Sequence, residues 1–208
     1  MREAVIVSTA RTPMGKAFRG AFNDTEAPAL SGHAVEQAVK KAGIDGAEVD
    51  DVIIGCAAQQ GTQSYNLGRL TATAAGLPNS VPGMTLDRQC ASGLMSIGFA
   101  AQSIMTGSMD IVAAGGVESI SMVQNKHKNT YRNVSKLVLS KSQHAYMQMI
   151  ETAEVVSKRY NISRQVQDEY SLQSQQRIAN AQQNGLFNDE IVPLASTKSV
   201  FNRVTKEV

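Results

Sequence analysis

The strongest constraint in this chain is a series of short apolar runs that lack any in-out alternation. They read Ala4-Val5-Ile6-Val7, Asp51-Val52-Ile53-Ile54-Gly55-Cys56, Met84-Thr85-Leu86 and Asp110-Ile111-Val112-Ala113-Ala114-Gly115-Gly116. A sheet with one wet face would alternate apolar and polar residues, whereas strands covered on both faces need not. Helical stretches lie between the runs. Residues 28–42 place Leu30, Ala34, Ala38 and Val39 on one side and stop at Gly43. Residues 67–75 stop at Gly76-Leu77-Pro78, and residues 91–105 form an uncharged helix. Strand and helix in turn predict an α/β fold whose parallel sheet is covered by helices.

The character changes after Gly116. Residues 117–146 have no clear period, and no acidic side chain lies between Glu118 and Glu151. Two helices are expected over 147–160 and 164–183, with Ser163 as N-cap of the second and Asn184-Gly185 as its stop. Residues 189–193 could add a strand, and a polar segment, 198–208, ends the chain. The expected organisation is an α/β core over 1–116 and an inserted helical region over 117–208.

Charge excludes little. The 208 residues carry 20 basic and 18 acidic side chains, a net +2, and no aromatic-basic stacking surface argues for nucleic acid. Residues 89–109 are free of charge over nearly the length of a bilayer span, but dispersed Gly and Ser fit a helix surrounded by protein better. The N-terminal apolar run is too short for a signal peptide. Two cysteines far apart make no disulfide framework, so a reduced, cytoplasmic setting is expected.

Chemistry points to Cys90. In Asp87-Arg88-Gln89-Cys90-Ala91-Ser92-Gly93 the thiol stands between a strand and a helix start. Unpaired N–H groups and the helix dipole favour a thiolate there, and small neighbours let a carbonyl approach. Such a thiolate is a good acyl acceptor. Geometry alone leaves a second reading open, a small buried hydrophobe. Cys56, inside an apolar strand, reads as core. Two cysteines and three histidines form no recognised metal spacing, and His33, His127 and His144 read as solvated or helix-surface residues. Arg11-Thr12-Pro13-Met14-Gly15 after the first run is no dinucleotide fingerprint.

The Cys90 segment resembles the nucleophile motif of thiolases. Three further stretches agree in order and spacing: Ala4 to Pro13 with Gly15, Ala114-Gly115-Gly116-Val117-Glu118-Ser119-Ile120-Ser121, and Glu151-Thr152-Ala153-Glu154 followed by Ser163-Arg164-Gln165 with Gln167-Asp168. The resemblance covers essentially all 208 residues and implies the N-terminal half of the family's fold, a parallel-rich mixed sheet covered by helices, with 117–208 as part of an inserted helical loop domain. It implies coenzyme A-dependent acyl transfer in fatty acid metabolism. Cys90 would take an acyl group from acyl-CoA, forming or cleaving a 3-ketoacyl-CoA such as acetoacetyl-CoA. Coenzyme A would be substrate, with no permanently bound cofactor, and the assembly a homodimer or tetramer.

Two departures stand out. Position 87 is Asp where the family more often has Asn, and a carboxylate there would oppose ionisation of Cys90. Gln148-Met149-Ile150 stands where many members have His-Met-Gly. Met149 thus matches a substrate-lining position, with core packing as its alternative. The basic stretch from Lys126 to Lys141 could meet CoA phosphates or be a solvated face. The family also uses a histidine, a second cysteine and an asparagine in Gly-His-Pro, Cys-x-Gly and Asn-Glu-x-Phe contexts, and none of these occurs in the 208 residues. The expectation is a chain that needs a C-terminal half for turnover, or else a non-catalytic carrier or assembly module.

Overall fold

Strand β1, Asp51–Gly55, is buried at all five positions. In a computed structural model that describes residues 2–200 it is the middle strand of a three-stranded sheet. Its neighbours are β2, Gly83–Leu86, and β3, Val112–Gly116, both parallel to it. Ile53 stands opposite Met84 on one side and Ala114 on the other. Three helices cover the sheet: α1, Ala27–Ala42, α2, Leu67–Ala74, and α3, Ser92–Met105. Val52, Ile54 and Cys56 share a core with Ala27 and Val35 of α1 and with Leu67 and Ala72 of α2. Ile53 alternates to the opposite face, where α3 packs along β1 and β3. The expected α/β class, parallel sheet and helix order are therefore what the chain forms. Gly43 ends α1 in the left-handed conformation, φ 70°, that a side chain would resist.

Within these 208 residues the uncharged helix α3 is covered on its inward side only. Its buried residues are Ser92, Ser96, Ala100 and Ser103, while Leu94 is 75% exposed and Ile97, Phe99 and Met105 are also open. Hydroxyls make that face compatible with burial, because each finds a backbone carbonyl. Ser96 Oγ, for example, donates to Gly93 at 2.7 Å and lies 2.6 Å from the Gly115 oxygen. Small residues then let the helix meet the sheet backbone to backbone. An ideal Cβ on Gly55 would stand 2.2 Å from the Ser92 carbonyl carbon, and one on Gly116 2.8 Å from Gly93 Cα. Among the described residues no helix is long and apolar enough to cross a membrane.

The run Ala4-Val5-Ile6-Val7 is not a strand, contrary to expectation. A strand needs a ladder partner, and a cavity of about 920 Å³ lies between this segment, α1 and the free edge of β3. Val5, Ile6 and Val7 are 70–74% exposed. The segment is held instead through side chains of its neighbours: Ser8 Oγ donates to Ala38 at 2.7 Å, and Lys41 Nζ to the Thr9 carbonyl at 3.3 Å. Residues 189–193 likewise form no strand; Ile191 makes an isolated bridge with Arg11, beside an Arg11–Glu190 ion pair at 2.9 Å.

By its contacts the chain divides into two compact units, one of residues 1–128 and 190–208, the other of residues 129–189. The first also holds α4, Ile120–Val123. The second holds α5, Lys136–Lys141, α6, Met149–Arg159, and α7, Arg164–Gln183. Short α4 and α5 lie where no period was visible. Ser163 caps α7, its Oγ accepting from Val166 N–H at 3.3 Å, and Gly185 follows at φ 67°. The last eight residues of the expected polar segment 198–208 lie outside the described residues.

The inverted burial of α3 has a direct thermodynamic consequence. Ile53→Ala, in the fully buried middle strand, should cost about 2–5 kcal/mol. Leu94→Ala, on the outward side of α3, should stay within about 0.5 kcal/mol. Urea unfolding of the two variants of this chain checks the contrast, and a large loss at Leu94 would contradict the orientation of α3.

Candidate active site

Because the three strands are parallel, their carboxyl ends converge, and Cys56, the 87–91 turn and Glu118 all follow directly. In open parallel sheets this is the end where ligands bind. The 87–91 turn is tightly built. Gln89 sits at φ 49°, a conformation uncommon outside glycine, and the surrounding hydrogen bonds hold it there. Its N–H donates to Asp87 Oδ1 at 2.6 Å, Ala91 N–H donates to the Arg88 carbonyl at 3.1 Å, and Arg88 N–H reaches Ser92 Oγ at 2.8 Å. Ser92 closes the turn by donating from Oγ to the Gln89 carbonyl at 2.6 Å.

Cys90 follows the strained residue and precedes Ala91, the N-cap of α3. It is exposed, and among the described residues no hydrogen bond engages its thiol. The buried-hydrophobe reading of Cys90 therefore falls. The Asp87 carboxylate, expected to oppose the thiol, is taken up by the Gln89 amide and side chain.

Cys56 is the opposite case. It is 1% exposed, and its Sγ lies 3.8 Å from Glu118 Oε1. Burial first, and then the Glu118 charge, push its thiol up to about 12. The Glu118 carboxylate also accepts from Ala57 N–H at 3.1 Å and Ala58 N–H at 3.4 Å, and from the Gln63 amide. Gln63 is fully buried; its Oε1 accepts from Ser119 N–H at 2.5 Å, and its Nε2 donates to the Ala58 carbonyl at 2.8 Å. Sequence reasoning quoted Glu118 only as part of a matching stretch and passed over Gln63. A lone carboxylate directly after an apolar, glycine-rich strand was the available signal for the first; nothing marked the second.

Met149 opens α6 in the other unit and is 69% exposed, so it is not core. It borders a hollow of about 380 Å³ with Thr152, Val156 and Ile162. His127 and His144 are exposed as expected. His33 is not: it is half-buried in α1, with an Nε2 that is buried and unpartnered. The ion pairs among the described residues leave Lys126, Lys128, Arg132, Lys136 and Lys141 aside. Among the described residues no group of three or more His, Cys, Asp or Glu could hold a metal ion.

The chain is thus a parallel α/β fold with an accessible thiol in a left-handed turn at the carboxyl end of its sheet. The comparisons with known proteins place this fold in a family. Residues 4–207 match the family described as thiolase, N-terminal domain, and the chain belongs to the thiolase family. It is similar to the 3-ketoacyl-CoA thiolase of Bacillus subtilis (strain 168), 43% identical over 95% of this chain and 50% of that protein. It is also similar to the 3-oxoadipyl-CoA/3-oxo-5,6-dehydrosuberyl-CoA thiolase of Escherichia coli (strain K12), 39% identical over 93% of this chain and 52% of that protein. Among solved structures it resembles the Bacillus anthracis acetyl-CoA acetyltransferase, with TM-score 0.81 and 33% identity, covering 96% of this chain and 52% of the other. The chain thus spans about half the length of these relatives.

The Cys56 environment predicts an alkaline weakness. A thiol raised from its ordinary 9.0 to about 12 keeps its proton when folded, while the unfolded chain loses it. The folded state then binds more protons across that window, so stability falls as pH rises through it. Thermal melts from pH 8 to 11 should show a steeper decline for the parent than for Cys56→Ala. Parallel profiles would contradict the buried-thiol assignment.

Proposed function

We propose that this chain supplies the acyl-carrying part of a coenzyme A-dependent acyltransferase, with Cys90 as the nucleophile. The observation that carries the reading is the accessible Cys90 thiol at the entry of α3, in a chain of the thiolase family. Cys90 Sγ attacks the thioester carbonyl of an acyl-CoA. The new sulfur–carbon bond forms as the CoA sulfur–carbon bond breaks, and CoA leaves as the thiol with the proton that Cys90 gives up. The carbanion of a second acyl-CoA, or free CoA in the degradative direction, then takes the acyl group from the sulfur. The backbone N–H of Cys90 itself is proposed to help hold the charge that develops on the thioester oxygen, since preoriented donors stabilise such charge strongly.

The names of the relatives support a 3-ketoacyl-CoA as the product formed or cleaved. Met149, exposed beside an apolar hollow, is proposed to line the substrate, and residues 117–208, which include the compact unit 129–189, to be part of the loop domain. The contexts that carry the family's nucleophile-activating histidine and its acid/base cysteine do not occur in these 208 residues, and turnover is proposed to require both groups. We place the enzyme in the cytoplasm as a homodimer or tetramer, with no permanently bound cofactor.

Peptide mapping after incubation with isotopically labelled acetyl-CoA at neutral pH tests the assignment. Acetyl is expected on Cys90, absent from Cys90→Ala and retained in Cys56→Ala. Label on Cys56, or on neither cysteine, would remove Cys90 from the chemistry and leave the carrier or assembly reading.

A further inference from the structure

We infer that Glu118 and Gln63 are positioning residues for Cys90, acting through the ends of β1 and β3; the inference rests on the reading of Cys90 as the acyl carrier. The Glu118 carboxylate draws together four donors: the Ala57 and Ala58 N–H groups, the Gln63 amide and the Cys56 thiol. All four come from the segment after β1, while Glu118 itself follows β3. Gln63 completes the link from the other direction by accepting from Ser119 N–H. Two loops that share no other covalent or ladder constraint beyond the strand ends are thereby clamped through one buried carboxylate–amide pair. An acceptor-only carboxylate suits this place, because every neighbour facing it is a donor.

The clamped ends are also the surface on which α3 begins. Gly55, the last residue of β1, leaves no room for a Cβ against Ser92, and Gly116, the last of β3, none against Gly93. Ser96 Oγ adds a 2.6 Å contact to the Gly115 oxygen. Cβ-free contacts of this kind transmit displacement directly, since no flexible side chain lies between. If the β1 and β3 ends splay, the first turn of α3 shifts with them. The 87–91 turn, tied to Ser92 through the Arg88 N–H and Gln89 carbonyl bonds, follows. The thiol of Cys90, carried on that turn beside the N-cap of α3, then changes its position relative to the helix start, and reactivity of a thiol depends on such placement. Among the described residues neither Glu118 nor Gln63 makes a hydrogen bond to Cys90; their effect runs through the backbone.

The test is peptide-resolved alkylation of the 208-residue chain with iodoacetamide at pH 7.5, alongside thermal melts. Glu118→Ala should slow alkylation of Cys90 by about two- to fivefold, the factor a helix-terminus interaction provides. Gln63→Ala, which removes the other arm of the clamp, should slow Cys90 to a similar extent, and the double variant should slow it no further than either single change. Val49→Ala, in the core at the opposite ends of the strands, should lower the melting temperature and leave the Cys90 rate unchanged. Parent-like alkylation in Glu118→Ala would overturn the inference, and so would an equal slowing in Val49→Ala or additive slowing in the double variant. If Glu118→Ala does not fold, Glu118→Gln compared with Gln63→Ala gives the same decision. A parent Cys90 that reacts no faster than it does in urea would instead defeat the nucleophile reading, and the clamp with it.

Discussion

The contact between bare backbones at the start of α3 sets the geometry of this end of the molecule. Gly55 and Gly116 close two parallel strands, and Ser92 and Gly93 press against them with no space for a β-carbon. A helix usually stands off a sheet by the thickness of two side-chain layers. Here that layer is missing at the first turn, so the distance from strand to helix is fixed by hard atoms rather than by rotamers. The connection from Leu86 to Ser92 has to span a short, rigid gap, and it does so with a left-handed Gln89 and a web of local hydrogen bonds. An exposed Cys90 on that connection is a consequence of the tightness below it.

The same end of the sheet holds two thiols with opposed surroundings. Cys56 ends a strand that is buried on both faces, beside a carboxylate that penalises a second negative charge. Cys90 stands outside that layer, exposed on the turn before α3. Sharing an end of the sheet, they differ by the one step between lying under the loops and lying on them. That step separates a packed, inert thiol from one that a thioester can reach.

Much of this was legible in the amino-acid order, and the reasons differ by element. Residues 51–55 announced a doubly covered strand because five consecutive non-alternating residues fit nothing else of that length, and Ser163 announced α7 because its cap chemistry is local. Residues 4–7 carried the same apolar signal and formed no strand, since a strand depends on a partner edge that the run itself does not encode. Residues 189–193 failed for the same reason. Cys90 was visible because its helix entry is a local feature. Glu118 and Gln63 were not, because their meaning lies in a contact across 55 positions of sequence.

Helix α3 shows why hydrophobicity alone misreads such a site. Fourteen residues without a charge suggest a helix buried all round. The buried stripe is instead serine and alanine, and the large apolar side chains face outward. A stripe of leucines would have held α3 away from β1 and β3 by its own bulk. Serines reduce that bulk and satisfy themselves against carbonyls of the helix and of β3, so polarity is hidden without leaving unpaired groups. Close approach, more than apolar area, was the quantity that this face had to secure. A long ionised side chain on the inward stripe could fit neither the gap nor its hydrogen bonds there.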